Sequence, residues 1–141
     1  MIAKVKTLRA EARYLRALCY TQALDLYRNV PHVTENSKIG NVLPDQIMGP
    51  ELFTYIETEL KECEADMLDP TVGFSANYGH ANKAANWALL SRLYLNAEVY
   101  AGVKKYTECI TYSNKVIAAG YQLEPVYGDM FRADNHLSKE M

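Results

Sequence analysis

Any chemistry in this chain has to come from three histidines, three cysteines and one acidic run. His32, His80 and His136 stand apart in segments that read as loops, with no metal spacing and no Ser-His-Asp or Cys-His arrangement around them. Cys19, Cys63 and Cys109 are separated by 44 and 46 residues, whereas zinc sites draw on close-spaced pairs. Each falls on the apolar side of a helix, where a free cysteine packs as a small core residue; a single disulfide stays open, because its geometry is not legible in a sequence. Glu51, Glu57, Glu59, Glu62, Glu64 and Asp66 could in principle do acid/base work or hold a cation. No histidine or basic partner stands in register with them, so they read as the solvated face of a one-sided helix. There is no glycine-rich phosphate loop. The chain is therefore expected to be no enzyme: no catalytic residue, metal ligand or cofactor is assigned.

The elements that would position these residues come from a chain of 141 residues and 16.0 kDa, read as one domain, 1–141, able to bury a core. Hydrophobic residues make up 49%, which argues against disorder. A net charge of -2 and a pI of about 5.9 give no basic footprint for nucleic acid. No apolar run is long enough to cross a bilayer, and the start shows no signal-peptide pattern. Targeting information of an exported parent would lie outside these residues.

The spacing predicts four helices, over 2–28, 50–68, 82–100 and 106–119, packed as antiparallel pairs without a substantial sheet: an all-α fold. In the first, Val5, Leu8, Ala12, Leu15, Cys19, Gln22 and Leu26 form one stripe; Ala10, Tyr14, Ala17, Tyr20 or Thr21, Leu24 and Tyr27 form another. Two stripes call for cover on more than one side. Pro31 stops the helix, and the irregular stretch 31–49 far exceeds the roughly four to six residues of a usual connection. Such a loop is functional, disordered or an insertion. The second helix opens at Gly49-Pro50 and carries one apolar face, Leu52, Ile56, Leu60, Cys63 and Met67. The third pairs a small-residue stripe (Ala84, Ala88, Ser91, Leu95) with a bulky one (Trp87, Leu90, Tyr94, Ala97). The fourth faces inward through Tyr106, Ile110, Ser113 and Ile117, with Cys109 and Val116 beside them, and Gly120 ends it. Tyr127, Met130 and Phe131 read as buried anchors beyond. The expected core residues are Trp87, Leu90, Tyr94, Leu15 and Ile110.

Helices three and four look like one tetratricopeptide unit: Trp87, Leu90, Ser91 and Tyr94 match W-x2-L-G-x2-Y, with serine for the small residue where the paired helix crosses. Tyr106 and Cys109 come about six residues later than a 34-residue repeat allows. A wider set of motifs follows in order. Ala10-Glu11-Ala12-Arg13-Tyr14-Leu15-Arg16-Ala17-Leu18 with Leu26-Tyr27-Arg28-Asn29-Val30-Pro31 is similar to the SusD/RagB family's opening signature, with Arg28 where that turn usually has glycine. Tyr55-Ile56-Glu57-Thr58-Glu59-Leu60 resembles its I-E-x-D-L helix. Lys83-Ala84-Ala85 through Leu89-Leu90-Ser91-Arg92-Leu93-Tyr94-Leu95 resembles A-x-A-L-L-A-R-V-Y-L. Val116 to Leu123 and Tyr127 to Phe131 match its closing motifs.

The resemblance implies a tetratricopeptide-like helical array from a longer protein: a lipid-anchored lipoprotein on the outer-membrane surface that captures oligosaccharides or other nutrients. Its implied partner is a SusC-like TonB-dependent transporter, its anchor lying outside these residues. A unit standing alone is expected to expose apolar surface where further helices dock, favouring self-association. Sugar stacking needs exposed flat rings among polar groups, and Tyr78, Phe74 and His80 before the third helix are the thin candidates; packing of that loop onto the helices outweighs a sugar role. The family's binding motifs map onto no position here, so no ligand residue is assigned. The other function class is an intracellular tetratricopeptide adaptor for peptide segments, which the apolar stripes leave little polar groove to serve.

Overall fold

The computed structural model describes residues 2–37, 40, 42–70 and 78–137. Its first helix, α1 (Ile2–Tyr27), is rich in alanine, leucine, arginine and lysine and holds neither glycine nor proline, so nothing local interrupts it. It ends at Arg28, whose φ of 62° lets its amide donate to the Leu24 carbonyl at 3.0 Å. Glycine is the usual residue in that left-handed closing position, and a side chain there costs roughly 1–2 kcal/mol. A two-residue antiparallel pair follows, β1 (Val30–Pro31) with β2 (Gln46–Ile47), in the register Val30 to Ile47. Helix α2 (Gly49–Cys63) starts with Pro50 in its first turn, and the Asn29 side chain accepts from the Gly49 amide at 3.0 Å. Arg28 lies across Gly49: a Cβ added there would come within 2.8 Å of the arginine Cγ. A 3-10 turn (Glu64–Asp66) extends α2.

Helix α3 (Lys83–Leu95) is capped by Asn82, whose side chain accepts from the Ala85 amide at 3.1 Å. The single long helix expected over 82–100 is in fact two. Asn96 leaves helical geometry at φ -99° and ψ 8°, and the short α4 (Ala97–Ala101) restarts beyond it. Asn96 bonds back to the Arg92 carbonyl at 3.0 Å, the local competition that makes asparagine a helix breaker. Gly102 (φ 71°) closes α4 and Gly120 (φ 83°) closes α5 (Tyr106–Ala118). Two 3-10 turns, Tyr127–Phe131 and Asn135–Leu137, complete the described residues.

The helices stack as antiparallel neighbours. Arg13 on α1 meets Glu62 on α2, while Asn29 after α1 meets Gly49 at the start of α2. Trp87 and Tyr94 of α3 reach Glu64 and Glu57, descending α2. Ser91 meets Ser113 of α5 at 2.7 Å, which is the close crossing that the serine in the tetratricopeptide motif anticipates. One core fills the stack: Ala17, Leu24, Leu52, Ile56, Leu60, Cys63, Met67, Leu90, Leu93 and Tyr94 are all buried. The apolar face read from the second helix is thus the buried one.

Four sequence expectations give way. The buried side of α1 is Ala10, Tyr14, Ala17, Thr21 and Leu24; the other stripe faces out, with Leu15 49% exposed. Among the described residues only one side of α1 is covered, because α2 and β1 meet one side. Ile110 and Ile117 also point out, at 61% and 75% exposed, since α5 meets α3 through Cys109, Tyr112 and Ser113. Trp87 is half-buried: its indole donates to Glu64 at 2.8 Å and Lys115 lies over its ring. Tyr127 and Phe131, read as anchors, are exposed and pack edge to face on one another at 5.1 Å.

Leu90→Ala should lower stability by about 2–5 kcal/mol, the range for a leucine truncated in a packed core, whereas Leu15→Ala should move it by less than about 0.5 kcal/mol. Urea denaturation followed by circular dichroism measures both; equal losses would contradict the buried side assigned to α1.

Candidate functional site

The residues singled out for reactivity do not converge. His80 is held on the surface of α1, its Nδ1 2.9 Å from Glu11, while Glu11 also accepts from the Ala81 amide at 2.9 Å. That hydrogen bond to His80, against some burial, lowers the Glu11 carboxyl below its ordinary value. Tyr78 is 45% exposed, and Phe74 lies outside the described residues. Cys19 is exposed, Cys109 half-buried and Cys63 buried, all free; the expectation that all three pack as core holds for Cys63 and fails for Cys19. Burial pushes the Cys63 thiol up to about 11, so it stays a protonated, inert side chain. Among the described residues no three histidine, cysteine or acidic side chains group as a metal would require.

The acidic run of α2 is where the structure departs furthest from the sequence reading. Glu59 is almost fully buried and its two oxygens are shared by Arg13 at 2.6 Å and Arg16 at 2.5 Å. Burial alone would raise its carboxyl, but the two guanidinium groups outweigh that and hold it below the usual value. Arg13 also reaches Glu62, and Arg16 reaches Glu35 in the loop. Glu57 accepts from the Tyr94 hydroxyl at 2.8 Å and pairs with Lys61; burial and that carboxylate push the tyrosine hydroxyl well up. Glu64 takes Trp87 and Lys115. Basic partners are therefore in register after all, supplied by α1 for Glu59 and Glu62, by α2 itself for Glu57 and by α5 for Glu64. Glu51, Glu62 and Asp66 do face solvent as expected.

Arg16, whose guanidinium lies over the Tyr55 ring at 5.9 Å, leads through Tyr55 and His32 to a concave site at the long loop. After β1 the chain is tied to α1 by Tyr20, whose hydroxyl accepts from the Val33 amide at 2.8 Å and donates to its carbonyl at 3.2 Å. The His32 amide donates to the Asp45 carbonyl at 2.9 Å, carrying the β1–β2 register one step further. The His32 ring then stacks edge-on against Tyr55 at 4.5 Å and tilts on Tyr20 at 5.7 Å. Beside it opens a cleft of about 650 Å³ lined by His32, Val33, Leu43, Asp45, Ile47 and Glu51 among others. Three buried polar atoms in this cluster have no partner: Arg16 Nε, His32 Nε2 and the Tyr55 hydroxyl. Two are donors, and the third is either donor or acceptor by tautomer. Buried groups of this kind are normally satisfied, and of these three residues His32 is the one that lines the cleft.

Sequence reasoning flagged the irregular loop over 31–49 but placed its ring candidates elsewhere. Tyr20 and Tyr55 sit at the edges of their helices' apolar faces, adjacent to Thr21 and Ile56. That flanking position was the available signal, and it is a weak one.

No protein-family model matches the sequence. The chain is 47% identical over 127 residues to the starch-binding protein SusD of Bacteroides thetaiotaomicron, covering 90% of this chain and 22% of that protein. Its fold superposes on a SusD-like protein from Bacteroides fragilis with a TM-score of 0.79 at 23% identity, over 99% of this chain and 27% of the other. It also superposes on surface glycan-binding protein A from Bacteroides uniformis with a TM-score of 0.78 at 17% identity, over 99% of this chain and 31% of the other. This chain thus spans between a fifth and a third of the length of these proteins.

Glu59→Gln should cost about 2 kcal/mol, below the 3–5 kcal/mol of a fully buried pair because both guanidinium groups keep part of their surface in water. Glu62→Gln, on the exposed rim, should stay within about 0.5 kcal/mol. Because the Glu59 carboxyl is depressed in the folded state, its contribution is full above the ordinary value of 4.5 and is lost as pH falls below it. Denaturation midpoints of both variants between neutral and acid pH test this: the wild type should converge on Glu59→Gln in acid.

Proposed function

We propose that the chain belongs to the SusD family and is the helical scaffold unit of a longer cell-surface protein that captures oligosaccharides for import. The sequence identity with the starch-binding relative carries this reading. It implies an outer-membrane location, a lipid anchor elsewhere in the polypeptide, and a SusC-like TonB-dependent transporter as partner. It is a binding protein and not an enzyme. The tetratricopeptide adaptor reading is not favoured, since the relation is to glycan-binding proteins.

The scaffold role fits how the side chains are used. Tyr20, Tyr55 and His32 spend their ring surfaces on one another, and His80 is committed to Glu11. The cleft beside His32 is walled by Val33, Val42, Leu43 and Ile47, which offer no flat ring for a sugar to stack on. Sugar affinity needs several rings and polar groups converging on one concavity, which the longer polypeptide would have to complete.

Titration calorimetry of residues 1–141 against a panel of oligosaccharides should therefore show weak binding or none, while a glycan array probed with the longer protein carrying this unit should show selective capture. Micromolar binding by a monodisperse 141-residue monomer would move the site into this unit and overturn the scaffold role. A gene for a TonB-dependent transporter is expected beside the coding sequence; a neighbourhood of cytosolic signalling genes would revive the adaptor reading.

A further inference from the structure

We draw no further inference here: the strongest candidate, the cleft at the long loop beside His32, belongs to the site already described, and nothing in the structure shows what occupies it.

Discussion

A single buried carboxylate sets the register of the first helix pair. Glu59 is removed from water and compensated by two guanidinium groups one turn apart on α1, so sliding α1 by a turn would strand a charge that is expensive to leave alone. The apolar contact between α1 and α2 is less selective, since small residues such as Ala10 and Ala17 would tolerate more than one offset. Charge therefore specifies what packing leaves loose. Arg16 passes the constraint on through Glu35, and the long loop is thereby anchored to the same helix that α2 is.

The second half of the stack uses the same device with less charge. Tyr94, wholly buried, points its hydroxyl at Glu57, and Asn86 donates to the Leu60 carbonyl from the first turn of α3. The Tyr94 hydroxyl and the Asn86 amide nitrogen thus each find α2 at one position only. Small side chains then decide how near α5 may come: Ser91 and Ser113 touch, and larger residues there would force the helices apart.

The helices and the all-α class were legible in the sequence because periodicity, proline and glycine report on local geometry. The apolar face of α2 was legible for the same reason, being narrow and unambiguous. Which side of α1 would be buried was not. Both of its stripes satisfy the helical period, and the choice depends on where α2 arrives in space. The fate of Glu59 was hidden likewise: a glutamate on a polar helix face reads as solvated until Arg13 and Arg16 are known to approach from a segment more than forty residues away. The break at Asn96 was foreseeable from residue type, but uninterrupted apolar spacing across it argued the other way. The cleft beside His32 depends on three separate segments meeting, and only the loop's length hinted at it.

The turn after α1 has a further consequence for how such sequences diverge. Arg28 occupies a left-handed position and drapes over Gly49, where a Cβ would come too close to it. The two sites are consequently epistatic. A lineage that carries glycine at the turn, as the family resemblance leads one to expect, frees the start of α2 to accept alanine or serine; one that carries arginine confines that position to glycine. Substitutions at these two positions should therefore be accepted in a preferred order, the turn changing to glycine first. A residue at the start of α2 would then record the history of a turn more than twenty positions before it.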